Sequence, residues 1–344
     1  MIQIQCDYNQ TCHPAILEAL SKVSMEQLVG YGEDHYCQEA RQLIRQAIGR
    51  DDADVHFLVG GTQTNMTVIS SALRPYQGVI AADTGHINVH ETGAIEHSGH
   101  KVLALPAHEG KISTAQIAAA IEAHYAENGP EHTVQPGMVY LSFPTEVGTI
   151  YSLAELEAIH EVCRSNQVPL FIDGARLGYG LCSPQCDVTL RDIARLADVF
   201  YIGGTKVGAM MGEAVVVTAD ELKRDFRYHI KQNGGMLAKG WLLGVQFLTL
   251  FTDNLYMRIA QNAINQAMRL RDALKDAGYT MYAESPTNQQ FVVITDEEFQ
   301  RLSRDFLLEP WARVDDRHMA VRICTSWATT DADTDRLIAA LCAK

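Results

Sequence analysis

Long apolar runs are missing from this chain. None of its 344 residues fall in an apolar stretch long enough to cross a bilayer. The most apolar helical pattern, Trp241 to Phe251, is interrupted by Gly244 and Gln246. No membrane partner is therefore expected. The start, Met1-Ile-Gln-Ile-Gln-Cys-Asp7, has no basic stretch followed by an apolar one, so no secretory signal is expected either. Positive charge is scarce. Lys and Arg number 28 against 42 Asp and Glu, a formal net charge of −14. That balance argues against nucleic acid as a partner over most of the surface, while leaving room for a local phosphate or carboxylate site. The eight cysteines are scattered, and only Cys182 and Cys186 lie close together. No second pair and no histidine at zinc-finger spacing accompanies them, so the cysteines are expected to be reduced and cytoplasmic, with no metal site.

What is present is an ordinary globular composition, 47% apolar and 20% charged, in a chain long enough for roughly two domains. Up to about Phe251, short apolar runs alternate with helical patterns. Strands are predicted at Val55–Val59, Gly78–Ala82, Lys101–Leu105, Gly137–Ser142, Val168–Ile172, Val199–Ile202 and Ala214–Val217. Helices are predicted before and between them, among them Cys37–Gly49, Met66–Leu73, Thr114–Tyr125 and a segment capped by Ser152, with Glu155 completing a capping box. Such alternation implies an α/β fold with a mostly parallel sheet covered on both faces. Beyond Phe251 the pattern changes to a long amphipathic helix, Asp253 to Ala277, followed by strands and helices of a smaller α+β domain. The expected division is a large domain at 1–250 and a small one at 251–344.

In an open α/β sheet the site forms at the carboxyl ends of the strands. Asp173 ends one apolar run there, and Lys206 follows another run 33 residues later. A lysine between two core strands is unusual, because ammonium groups are rarely buried without a purpose. A partly desolvated lysine has a lowered pKa and can form a Schiff base with a carbonyl. A carboxylate at the same edge suits pyridoxal phosphate (PLP), whose pyridine nitrogen it would keep protonated. Gly61 and Thr62, in a glycine-rich turn between strand and helix, would offer free backbone N–H groups to the phosphate. His86 ends a further strand and could stack on the ring.

These residues lie in recognisable motifs: Tyr31-Gly32-Glu-Asp, Gly61-Thr62-Gln63-Thr-Asn65, Gly85-His86-Ile-Asn, Asp173-Gly-Ala-Arg176 and Gly203-Gly-Thr-Lys206. In this order and spacing the chain resembles the low-specificity L-threonine aldolases, in the β-eliminating lyase branch of fold-type I PLP enzymes. The resemblance implies an aspartate aminotransferase-like large domain. It makes Lys206 the Schiff-base lysine, Asp173 the partner of the pyridine nitrogen, His86 the stacking residue, and Gly61 and Thr62 the phosphate ligands. Arg176 and Arg322 would bind the substrate α-carboxylate. It further implies a homotetramer built from dimers, with Lys231 reaching the phosphate of a neighbouring subunit. Two positions depart from the better-known branch. Cys6 stands where a serine hydroxyl would help hold the carboxylate, and Glu146 stands where a histidine would approach the substrate hydroxyl. Glu146 could act as a base toward that hydroxyl, as its hydrogen-bond partner, or as an anchor for its loop. The implied reaction is cleavage of L-threonine or L-allo-threonine to glycine and acetaldehyde. The alternative is β-elimination from an amino acid, releasing pyruvate and ammonia.

Overall fold

The computed structural model describes residues 1–342. Seven strands build its central sheet: β1 (Asp54–Leu58), β2 (Gln77–Ala82), β3 (Val102–Leu105), β4 (Gln135–Ser142), β5 (Leu170–Asp173), β6 (Val199–Gly203) and β7 (Glu213–Val217). Their spatial order is β1-β7-β6-β5-β4-β2-β3. Strand β7 runs antiparallel to both neighbours, and the other pairings are parallel. The mostly parallel sheet expected from the alternating pattern is present.

The central strands read as continuous apolar runs because both faces are covered. Ile172, Phe200, Ile202, Ala214 and Val216 enter one core. Their alternate neighbours Phe171, Val199, Tyr201, Val215 and Val217 enter the other. Side chains one residue apart point to opposite faces, so a strand between two helical layers must be apolar throughout. Ser152 caps the helix Leu153–Ser165 with the reciprocal bonds to Glu155 that the sequence suggested. One helix differs in a way that matters for the site. The helix after β1 begins at Gly61 rather than Met66. Its polar first turn carries no apolar signal, so its start was hidden.

The C-terminal part forms a second, antiparallel sheet from β8 (Met281–Ala283), β9 (Gln289–Thr295), β10 (Glu309–Arg313) and β11 (His318–Cys324), in the order β10-β11-β9-β8. The edge strands β8 and β10 were not legible. β10 reads Glu-Pro-Trp-Ala-Arg, and an edge position tolerates that proline and those charges. The division into two cores also lies elsewhere than at 250/251. Leu255, Ile259 and Ile264 of the helix Leu255–Asp276 pack in the large core, while Leu270 and Leu274 of the same helix pack in the small one. The first residues, expected to belong to the large domain, join the small one: Ile2–Gln3 pairs with Phe306–Leu307, and Ile4 is buried in the small core. A continuous amphipathic stripe does not reveal that its two halves face different partners. Among the described residues, no helix is long and apolar enough to cross a membrane.

Candidate active site

The carboxyl ends of β1, β2, β4, β5 and β6 open on one edge of the sheet. Because β7 is reversed, its first residue, Glu213, comes to the same edge. A cavity of about 310 Å³ lies there, lined by Gly60, Gly61, Thr62, His86, Glu146, Asp173, Arg176, Lys206 and Glu213, with Tyr201 also facing it. A second lobe of about 330 Å³ shares His86, Glu146, Arg176 and Lys206 with the first and adds Trp311 and Arg322 from the small domain. Both volumes are within the range of small-molecule sites.

Asp173 is buried, and four donors converge on its carboxylate. Tyr201 and Tyr140 donate their hydroxyls at 2.5 Å each, Asn65 Nδ2 donates at 3.1 Å, and the Ala175 N–H donates at 3.0 Å. Burial, reinforced by the Asp173 charge, pushes both tyrosine hydroxyls well above their ordinary pKa, so they stay protonated and remain donors. The next residue must be glycine. A Cβ at Gly174 would lie 1.9 Å from the Tyr201 carbonyl oxygen. That close approach lets the Gly203 N–H donate to the Gly174 carbonyl at 2.9 Å, tying the Asp173 loop to the Lys206 loop.

The Lys206 loop is held from both sides. Glu213 accepts from the Gly204 N–H at 3.0 Å and the Thr205 hydroxyl at 2.7 Å. The Tyr179 hydroxyl donates to the Lys206 carbonyl at 2.5 Å. Burial, then the nearby Arg176 charge, lowers the Lys206 pKa, although Asp7, Asp173 and Glu213 act in the opposite direction. Burial likewise pushes the Glu213 carboxyl up to about 7, against its hydrogen bonds and the Lys206 charge. A lysine in this setting yields its free amine more readily than one in water.

Arg176 is not free. Its Nε and Nη2 donate to the fully buried Asp7 carboxylate at 2.6 and 3.0 Å. Asn288 of the small domain completes the set, donating to Asp7 at 2.9 Å. Two guanidinium donors are thus spent on orientation. Arg322 stacks over Trp311, with 5.3 Å from the guanidinium carbon to the ring centre. Its Nη2 donates to the Gln5 carbonyl at 3.1 Å, and its buried Nε has no partner among the described residues. Glu146 accepts the His86 backbone N–H at 2.9 Å and the Ser142 hydroxyl at 2.6 Å on one oxygen. Burial raises its pKa despite these bonds. These contacts are those of an anchor for the loop.

Two expected residues lie apart from this cluster. The Cys6 thiol is buried and donates to Asn9 Oδ1 at 2.9 Å, so it makes no contribution to either lobe. The turn that buries it sends Tyr8, two residues on, into both lobes instead. Lys231 is exposed on the helix Phe226–Gln232, with its ammonium 5.2 Å from the Tyr31 ring centre and away from this chain's own cavity.

The family model described as Beta-eliminating lyase matches residues 6–297. The chain belongs to the beta-eliminating lyase family. It is similar to the low-specificity L-threonine aldolase of Pseudomonas aeruginosa, 28% identical over 299 residues that make up 86% of this chain and 85% of that one. It is also similar to the Escherichia coli K12 enzyme of the same name, 25% identical with 86% of each chain covered. Its structure matches that of Leishmania major threonine aldolase with a TM-score of 0.96 and 43% identity, covering 99% of this chain and 98% of that one. A serine palmitoyltransferase of Sphingomonas wittichii, 14% identical with a TM-score of 0.74, shares the fold.

The cavity of this beta-eliminating lyase family member fits PLP by its own residues. The helix Gly61–Ala72 has no side-chain cap at its N-terminus, leaving backbone donors free for a phosphate. A Cβ at Gly60 would meet no atom within 4 Å, so the glycine there keeps the cavity open. Asp173 and Lys206 line the same space. Sequence reasoning missed Asp7, Tyr8, Tyr140, Tyr201 and Glu213. Only Glu213 left a trace, as an acid opening a strand that is otherwise Ala-Val-Val-Val.

Proposed function

We propose that the protein is a PLP-dependent aldolase that cleaves L-threonine or L-allo-threonine to glycine and acetaldehyde. The observation that carries this reading is the pair of adjoining lobes. One holds Lys206, Asp173 and the uncapped helix N-terminus, and the other, which shares Lys206 with it, is lined by the two arginines Arg176 and Arg322. The similarity to threonine aldolases over nearly the whole chain supports cleavage over β-elimination.

Bound PLP supplies an electron sink for the pair released at the substrate Cα. Asp173 would face its pyridine nitrogen, Gly61 and Thr62 its phosphate, and Lys206 its aldehyde carbon. Arg322 and the remaining Nη1 of Arg176 hold the substrate carboxylate, a task for which the planar fork is suited. His86 takes the β-hydroxyl proton. The Cα–Cβ bond then breaks, the hydroxyl carbon leaves as the aldehyde, and Cα takes up a proton to become glycine. Glu146 keeps the His86 loop in place through the backbone bond already described.

We further propose a cytoplasmic homotetramer. The eight cysteines are all free. Met25, Val29 and Tyr31 on one loop and Tyr228 on the Lys231 helix are exposed, an apolar set suited to a partner subunit that receives Lys231. The reaction is tested by an amino-acid panel on PLP-loaded protein. Glycine with an aldehyde is the expected product pair, and a 2-oxo acid with ammonia would overturn the reading. Borohydride should fix the cofactor on Lys206, and Lys206→Ala should abolish turnover while leaving the fold intact.

A further inference from the structure

Behind the cavity wall a chain of polar contacts joins His86 to Asp173 through two residues to which the reaction above gives no role. His86 begins the short helix His86–Val89, with its ring partly exposed to the cleft. Its Nδ1 lies 2.7 Å from Glu91 Oε1, and the Glu91 side chain is wholly shut off from solvent. The same oxygen accepts Asn65 Nδ2–H at 2.7 Å, and Asn65 also donates to Asp173 Oδ2 at 3.1 Å. Two carboxylates that only accept determine the orientation of the amide, with Nδ2 toward both and Oδ1 without a partner among the described residues. The contacts therefore run without a break from His86 through Glu91 and Asn65 to Asp173.

A carboxylate in this position is expensive. Its side chain is shut off from solvent, and Glu91 Oε2 has no hydrogen-bond partner among the described residues. An apolar side chain would fill the space at lower cost, so the charge calls for a role beyond packing. Its chemistry supplies one. An ionised carboxylate has no proton to give, so the short contact requires the imidazole proton on Nδ1. That leaves the Nε2 lone pair as the acceptor on the ring.

We propose that Glu91 is a positioning residue that holds His86 with its proton on Nδ1, so that Nε2 is presented to the cleft as the acceptor for the substrate β-hydroxyl proton. The last clause rests on the aldolase reading, and the first does not. The transfer balances within the site: the hydroxyl proton moves to Nε2, the oxygen keeps its electron pair, and the resulting imidazolium lies against the Glu91 carboxylate. This is the arrangement by which a buried acid orients a histidine base and stabilises its cation.

The test uses ring nitrogen resonances of the cofactor-free protein labelled with 15N-histidine, at a pH above the imidazole titration. The His86 signals are assigned by their loss in His86→Asn. Wild type should show a protonated Nδ1 and a bare Nε2. Glu91→Gln should show the same, because its carbonyl can replace Oε1 and its amino group can occupy the empty Oε2 position. Glu91→Leu should move the proton toward Nε2. A wild-type proton on Nε2, or a pattern in Glu91→Leu identical to wild type, overturns the proposal, and the wild-type measurement decides even if the leucine variant does not fold. On loaded enzyme, kcat for threonine cleavage should fall on the order of 10²-fold in Glu91→Leu with KM little changed. Glu91→Gln should recover it to within about tenfold of wild type. A tautomer that follows Glu91 with no change in kcat refutes His86 as the proton acceptor. Failure of the wild type to form glycine refutes the aldolase reading and leaves the resonance result intact.

Discussion

Asp7→Asn should expose how strongly the Arg176 pair is held. Asp7 is fully buried, and the Arg176 side chain is only 13% exposed, so water screens the pair little. Removing one member of such a pair leaves an uncompensated buried charge, which costs about 3–5 kcal/mol. Counting bonds leads to a similar range. The carboxylate accepts two guanidinium hydrogen bonds, and bonds to charged groups contribute about 1.5–3 kcal/mol each. Asparagine keeps one acceptor, but its amino group must meet a cation. With a denaturation slope of about 3 kcal/mol per M, the urea midpoint of the cofactor-free protein should fall by roughly 1–1.7 M. Arg176→Gln added to Asp7→Asn should restore much of the loss, because no charge is then stranded. The effect also has a pH signature. Burial alone would raise the Asp7 carboxyl, but the Arg176 guanidinium, helped by Lys206, holds it below its usual value of 3.8. A depressed folded-state pKa contributes stability above the unfolded value and loses it as pH falls through the folded one. The gap between wild type and Asp7→Asn should therefore be constant from neutral pH down to about 5 and close in stronger acid. A single-variant loss below about 1 kcal/mol, or a double variant as weak as the sum of its parts, would refute the reasoning.

Arg322→Lys should lower kcat/KM for amino acids by roughly 10–100-fold, since lysine loses both the fork and the stack on Trp311. Normal kinetics in that variant would mean that the small domain does not reach the substrate. Glu146→Gln keeps an acceptor for the His86 N–H and the Ser142 hydroxyl, so activity should fall by less than about tenfold with the cofactor spectrum unchanged. A loss of about 10²–10⁴-fold at constant cofactor affinity would instead make Glu146 the base.

The core of the site was readable because parallel strands bring their following loops to one edge. Once the alternation of strands and helices is recognised, Asp173 and Lys206 must come near each other, and Gly61 and His86 must join them. That inference needs only local pattern and a topological rule. The small-domain edge strands, the split helix Leu255–Asp276 and the placement of Cys6 were not readable. Local composition around them is compatible with several environments. Cys6 and Tyr8 are neighbours in sequence, and only the path of the backbone sends the thiol to Asn9 and the phenol to the cleft.

The α/β architecture, the edge at which the site forms and the chemical types gathered there follow from local pattern alone, because periodicity and strand ends are local properties of the chain. Which charge answers which is set by the folded chain. Asp7 meets Arg176 and Asn288, and Asn65 reaches across to Asp173, over separations of 169, 281 and 108 residues. A buried charge is stabilised by whatever donor folding brings within about 3 Å, and no spacing along the chain encodes that distance.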